Sequence, residues 1–363
     1  MTAPLYAIVL AAGEGTRMRS ERPKPLHRLC GRPMVLHVLD ALAELDVAQV
    51  VVVVGHRGEW VTKALIEQAP PSLRIEFVEQ PTQRGTGDAA AVALTGLPDD
   101  ADGDVVVLPG DTPLLRPQTL AALVRHHRAS EAGATLLIAD VPEPTGYGRI
   151  VRGKADLVER VVEETDATDD ERAISEICTS IYCFRRGILA PSLRRLSPAN
   201  AQGEYYLTDV VGVLSAAGYA VHAFAATDPV ETAGVNDRAQ LAFAEAELRD
   251  RINERWMRRG VTMWDPERTY VDAEVLLATD VSLLPGVILR GRCVIGEGSE
   301  IGPNANLLDT TVGQRATVSE STCDRATIGD GAQVGPFCVL RPGAEVPARA
   351  VVPPHTVVEG PEA

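Results

Sequence analysis

Leu5-Tyr6-Ala7-Ile8-Val9-Leu10-Ala11-Ala12-Gly13-Glu14-Gly15-Thr16-Arg17-Met18 stands near the head of the chain, and the rest is organised around it. Leu5–Leu10 is apolar nearly throughout, as expected for a strand covered on both faces by helices. Gly13 and Gly15 let the backbone turn sharply and come close to a ligand, while Ala11 and Ala12 keep side chains out of the way. Arg17 follows, and Lys24 stands between Pro23 and Pro25. A narrow backbone cradle beside two cations suits a nucleoside triphosphate. The plainer alternative is a strand and a glycine turn, with Arg17 and Lys24 solvated at the surface. There is no GxxxxGK[ST], so this is no P-loop, and Gly13-Glu14-Gly15 lacks the third glycine of the dinucleotide fingerprint.

The chain has 363 residues, enough for two domains and ample cores. Hydrophobic residues make up 45% and charged residues 23%, as in ordinary globular proteins. A formal charge of −15 argues against a nucleic-acid partner, which wants a cationic footprint. It leaves a nucleotide substrate open, since that needs only a local cluster of cations and a metal. No apolar run reaches about 18 residues, and the N terminus leads straight into a strand, so neither a membrane partner nor a signal peptide is expected. Six cysteines (Cys30, Cys178, Cys183, Cys293, Cys323 and Cys338) lack CxxC spacing and read as free buried thiols in a reducing cytoplasm.

From the loop onward, strand and helix patterns alternate. Helices are expected at Met34–Leu45, Trp60–Gln68, Ala89–Leu97 and Thr119–Ala129; strands at Val50–Val54, Arg74–Val78, Asp104–Leu108 and Ala134–Ala139. Such units build a mostly parallel sheet with helices on both faces, whose ligands sit beyond the carboxyl ends of the strands. The Gly13 loop, the Gly85-Thr86-Gly87-Asp88 loop and Asp111 all fall at such ends. Leu157–Val162, Ile181–Phe184 and Tyr219–Ala225 read as further strands. Ala201–Ala217 carries Gly203-Glu204-Tyr205-Tyr206-Leu207-Thr208-Asp209 into a helix. A long helix follows to about Arg259, with Asn236 or Asp237 suited to its N-cap.

From Val271 the pattern changes. Apolar stations recur at Val271, Leu277, Leu283, Leu289, Ile295, Ile301, Leu307, Val312, Val318, Cys323, Ile328, Val334, Leu340, Val346, Val352 and Val358. The step is six residues, except for fives at 307–312, 318–323 and 323–328. Glycine follows the station at Gly296, Gly302, Gly313, Gly329 and Gly335. Three such steps make one triangular coil, so a β-helix of roughly five coils is expected.

Several motifs together resemble the bacterial bifunctional enzyme family that makes UDP-N-acetylglucosamine. They are Leu10–Met18, Pro23–His27, Glu79–Ala89, Gly110–Leu115, Pro144–Ile150, Asn200–Val210 and Gly234–Arg238, with the hexapeptide tail. That family joins an N-acetylglucosamine-1-phosphate uridylyltransferase to a left-handed β-helix acetyltransferase. The resemblance implies an α/β fold: a Rossmann-like nucleotidyltransferase domain over residues 1–233, a connecting helix over 234–262, and a short left-handed parallel β-helix over 263–363. It implies that Leu10, Ala11, Ala12, Gly13, Gly15, Gln80, Gln83, Gly85 and Thr86 embrace the nucleotide, with Arg17 and Lys24 on the triphosphate. It further implies that Asp111 and Asn236 hold Mg²⁺, and that Gly148, Glu163, Cys178, Thr208 and Asn236 line the sugar-phosphate side. The implied substrates are UTP and N-acetylglucosamine 1-phosphate, with a homotrimer through the β-helix, or else a dimer or monomer, in the cytoplasm.

The chain departs from the family pattern at four places. Cys178 stands where the family has an asparagine, and a thiol is a poor substitute for a carboxamide. Pro109 replaces an aromatic residue before Gly110-Asp111. Glu164-Thr165 stand where a basic residue follows the glutamate. Beyond Gly335–Glu345, in which Arg341 matches a sugar-binding arginine, the pattern stops, so a truncated acetyltransferase domain without that activity is expected. Two other functions remain open: transfer to another sugar or from another base (glucose 1-phosphate or dTTP), and a non-catalytic nucleotide-sugar sensing or scaffolding subunit.

Overall fold

Alternate residues of Leu5–Ala11 belong to different cores, and this split sets the first unit. Tyr6 and Ile8 join Val51, Val53, Val105 and Val107 on one face; Leu5, Ala7 and Val9 join Val50, Val52, Val106 and Leu108 on the other. A strand buried on both sides has no polar face, which is why these segments are continuous apolar runs. The computed structural model describes residues 3–98 and 102–361. They form two compact units, Met1–His27 with Pro33–Gln240, and Arg28–Arg32 with Leu241–Ala363.

In the first unit the strands are β1 (Leu5–Ala11), β2 (Val47–Val54), β3 (Ile75–Glu79), β4 (Asp104–Pro109), β5 (Ala134–Asp140), β6 (Gly148–Arg152), β7 (Val158–Val162), β8 (Glu176–Arg185) and β9 (Val221–Ala225). Among the described residues they make one mixed sheet of order β9-β5-β8-β4-β1-β2-β3, with β6 paired to β8 and to β7. The β4-β1-β2-β3 part is parallel throughout. Helices Met34–Ala43, Gly58–Gln68 and Pro117–Ala129 cover one face, and Thr86–Ala93, Arg186–Leu193 and Asp209–Ala216 the other.

Two boundaries differ from the sequence expectation, each for a local reason. The helix expected from Ala89 starts at Thr86, because Gly85 at φ 107 turns the chain into it, and it closes in a tighter turn at Leu94–Gly96. The strand expected at Ile181–Phe184 begins at Glu176. Its register shifts between Cys178 and Ile181, Ser180 sits at φ 61, and the Thr179 hydroxyl donates to the Leu137 carbonyl at 2.7 Å. A bulge of this kind breaks the alternation that a sequence pattern reads. The long helix runs from Arg238 to Met257. Its first turn is capped by Asp237, whose carboxylate accepts the Gln240 N–H at 2.8 Å.

The second unit is a parallel β-helix. Among the described residues its three sheets hold six strands (Thr262–Met263 to Val351–Val352), six (Tyr270–Val271 to Val357–Val358) and five (Leu276–Leu277 to Glu345–Val346). The apolar stations from Val271 to Val352 are buried, and Val358 is half-buried. Leu289 pairs with Leu307, eighteen residues on, but Leu307 pairs with Cys323, sixteen on, so the five-residue steps shorten a coil without losing register.

Glycine at the corners is required by the next coil: a Cβ on Gly296 would lie 2.6 Å from the Gly313 carbonyl carbon. A second inward row was not read from the sequence. Val275, Val281, Val287, Cys293, Ser299, Ala305, Thr310, Ala316, Ser321, Ala326, Ala332, Cys338 and Ala344 are all buried. Its hydroxyls are satisfied inside: Ser299 donates to the Gly313 carbonyl and accepts from the Ala316 N–H.

Candidate active site

β1 ends at Ala11, and the loop after it is shaped by its second glycine. Gly15 sits at φ 65, where a side chain would be strained, and an added Cβ would lie 2.6 Å from Lys24 Cβ. Glycine therefore lets Lys24 lie directly against the loop. Gly13 differs: an added Cβ there would meet no described atom within 4 Å, so that side of the loop is open.

Two cations converge on two oxygens. Lys24 Nζ donates to Asn236 Oδ1 at 2.8 Å and forms an ion pair with Asp111; Arg17 donates to the same Oδ1 at 3.0 Å. Backbone bonds hold Asp111 in place. The Gly110 N–H donates to the Leu10 carbonyl at 2.9 Å, tying the ends of β1 and β4, and the Val235 N–H donates to the Asp111 carbonyl at 2.9 Å. Because Asp237 caps the helix, the Asn236 carboxamide is available to the cations.

On the other flank, Gln83 Nε2 donates to the Ala12 carbonyl at 2.5 Å and joins the two loops. Gln80 is 5% exposed and braces its own loop, donating to Asp88 at 2.8 Å and to the Gly85 carbonyl at 3.2 Å. Thr86 Oγ1 accepts the Leu207 N–H at 3.0 Å, and a Cβ on Gly85 would lie 2.5 Å from the Tyr205 carbonyl oxygen. The Gly85 loop is thus set by the segment leading to Thr208.

A third cluster joins Gly148, Glu163, Cys178 and Thr208. Cys178 is in register with Gly148, a Cβ on Gly148 would lie 3.5 Å from Glu163 Oε2, and the Thr208 hydroxyl donates to Glu163 Oε1 at 2.8 Å. Burial pushes the Glu163 carboxyl above its ordinary range, although the Thr208 bond favours the charged form. Cys178 is 3% exposed and faces the core, its Sγ 3.3 Å from the Tyr182 hydroxyl; burial pushes the thiol up to about 11.

The sequence reading did not single out Tyr147 or Arg149. Burial raises the Tyr147 phenol, and the Asp111 charge adds to the effect. Arg149, 1% exposed, donates to Glu164 at 2.6 Å and holds that carboxyl below its usual range. The acidic residue after Glu163 is therefore partnered from an adjacent strand. The signal lay in Gly146-Tyr147-Gly148-Arg149, where two large polar side chains alternate with glycines.

Asp111 and Asn236 offer one carboxylate and one carboxamide oxygen, both within reach of a single ammonium group. Among the described residues no three His, Cys, Asp or Glu side chains converge. This donor set fits a hard cation that takes its remaining ligands from phosphate and water, rather than a closed protein cage. Among the described residues no helix is long and apolar enough to cross a membrane.

The family model of the MobA-like NTP transferase domain matches residues 7–205. The bifunctional protein GlmU of Shouchella clausii is 44% identical over 341 residues, covering 94% of this chain and 74% of that protein. The GlmU proteins of Streptomyces avermitilis and Streptomyces coelicolor are 46% and 47% identical, over 96% and 94% of this chain and 72% and 71% of theirs. Alignments covering most of each relative give no support to the expected truncation of the second domain.

Proposed function

The chain belongs to the GlmU family, and from that premise we propose that it transfers uridylyl from UTP to N-acetylglucosamine 1-phosphate, releasing pyrophosphate. The observation that carries this is the meeting of Lys24 and Arg17 with Asp111 and Asn236 at the ends of β1 and β4. In-line attack of an already ionised phosphate oxygen needs no general base. Alignment and relief of charge repulsion are what remain for the protein.

In this reading Lys24 and Arg17 offset charge on the phosphates, and the open side of Gly13 admits the nucleotide. Gln80 and Gln83 hold the base-side loop, and Glu163 with Thr208 positions the sugar phosphate. Asp111 and Asn236 would hold Mg²⁺, which when bound supplies charge neutralisation on the phosphate oxygens. Cys178 acts from beneath the sugar side, through Tyr182 and Gly148, rather than by touching the ligand.

The test is pyrophosphate release with UTP and Mg²⁺ across a panel of sugar 1-phosphates, repeated with dTTP. Preference for N-acetylglucosamine 1-phosphate supports the proposal; preference for another sugar or base redirects it; silence on all of them overturns it. Acetyl release from acetyl-CoA with glucosamine 1-phosphate, in the same preparation, would overturn the expectation that acetyl transfer is absent. The domain division at 233/234 and 262/263, the left hand of the β-helix, a trimer rather than a dimer or monomer, and a cytoplasmic setting belong to the same proposal. Sedimentation of the full chain decides the assembly.

A further inference from the structure

The loop 144–147 leads into β6 and delivers Gly148 to Glu163. Gly146 is exposed at φ 87, and a Cβ added there would meet no described atom within 4 Å. Packing around Gly146 therefore does not fix the loop, and polar groups take over that task. The Tyr147 N–H donates to the Pro144 carbonyl at 3.2 Å, closing a turn. The Gly146 N–H donates to Glu164 Oε2 at 3.2 Å, and the Tyr147 carbonyl accepts from the Arg149 guanidinium. The same guanidinium donates to Glu164 Oε2 at 2.6 Å. One ion pair thus grips the backbone of two successive loop residues.

Both members of the pair are themselves anchored. Arg149 is 1% exposed, and its backbone pairs with Val162 of β7 on one side and Ile177 of β8 on the other. Glu164 stands two residues beyond Val162, in a turn closed by the Asp166 N–H on the Glu163 carbonyl at 3.0 Å. Its other oxygen lies 3.9 Å from Arg172 Nε. Leaving so deeply buried a guanidinium without its carboxylate is costly, so the pair keeps one geometry. A basic residue at 164, as in the family pattern, would set like charge against Arg149 and could accept neither bond.

We propose that Glu164 is a positioning residue for the sugar phosphate: with Arg149 it fastens the Gly146 loop and so sets Gly148 against Glu163. The inference rests on the uridylyl-transfer reading, in which Gly148, Glu163 and Thr208 line the sugar side. Glu164 acts through the loop and not on the substrate. A loop fastened before the ligand arrives removes an ordering cost from binding. With the fastened form reduced to about a tenth of the population, apparent affinity falls by the same factor.

The experiment uses the full chain with UTP, Mg²⁺ and N-acetylglucosamine 1-phosphate. Turnover, KM for each substrate and hydrogen exchange across 144–149 are measured for the parent, E164A, E164Q and G146A. E164A is expected to raise KM for the sugar phosphate about tenfold, with KM for UTP unchanged and kcat within about threefold. Exchange at Gly146 should quicken. E164Q keeps an oxygen for the Gly146 N–H and Arg149, and should recover most of the affinity. G146A strains the loop at φ 87 while leaving the ion pair intact, so it should raise the same KM even where E164A folds poorly. T168A removes the cap of the neighbouring helix Asp169–Arg172 and is the structural control: stability falls and neither KM changes. Quickened exchange in E164A with an unchanged sugar-phosphate KM would overturn the positioning role, as would an equal rise in both KM values. Unchanged exchange would overturn the fastening itself. Should the parent turn over no sugar phosphate, the uridylyl-transfer reading fails and the positioning role with it. The exchange data still decide whether Glu164 fastens the loop.

Discussion

In the β-helix each station is paired with residues sixteen to eighteen positions away, one coil before and one after. In the nucleotidyltransferase unit Lys24 reaches Asn236 across 212 positions. The first arrangement spreads stability over many equivalent contacts. The second concentrates chemistry in a few side chains delivered by distant strand ends. Changes in the β-helix should therefore be read as stability, and changes at the strand ends as rate.

The largest effect should come from Asp111→Ala. Removing the carboxylate that faces Lys24 should lower turnover by about 10³-fold or more, with the thermal midpoint within a few degrees of the parent. A variant that turns over normally would remove Asp111 from the machinery. Next is Leu307→Ala, which empties a fully buried station and should destabilise by about 2–5 kcal/mol in denaturant unfolding. The comparison breaks if turnover at 25 °C falls as far as it does for Asp111→Ala.

Gly313→Ala should destabilise by about 1–3 kcal/mol, because its Cβ would lie 2.3 Å from Asp330 Oδ1; an unchanged midpoint would show that the corner gives way. Asp237→Ala and Asn236→Ala form a sharper pair from adjacent residues. Loss of the cap should cost about 1 kcal/mol of stability, whereas Asn236→Ala should lose turnover. Reversed roles would exchange cap and ligand.

The smallest effect is a pH dependence at Glu163. Its folded carboxyl titrates above the ordinary value of 4.5, so between the two the folded state holds more proton. Its contribution is fully present below the ordinary value and is lost as pH rises through the folded one. Glu163→Gln should therefore match the parent at low pH and gain relative stability towards neutral pH. Denaturant unfolding at two pH values measures this, and a gain that shrank on raising the pH would reverse the assigned sign.

The β-helix was legible because its stations repeat in sequence and a large apolar side chain announces each one. The second inward row escaped because, after Val275, Val281 and Val287, it is built of Ala, Ser, Thr and Cys, which carry little hydrophobic signal although the coil buries them as completely. In the first unit the parallel strands were legible as apolar runs, and the bulge at Cys178–Ile181 was not, since its Thr179 is buried by hydrogen bonding rather than by apolar character. Among the candidate residues, the motifs named Lys24, Asp111 and Asn236. They could not show that Gln80 is a buried brace or that Cys178 faces the core.

The sequence by itself determined the two architectures and the chemical kinds gathered at the strand ends, because burial periodicity and loop chemistry are local properties. Tertiary structure alone decided which of two adjacent residues caps the helix and which meets the cations. It also brought Arg19, Arg22 and Arg57 around one cavity. Those outcomes depend on where separate strand ends meet, and no local pattern encodes the distance between them.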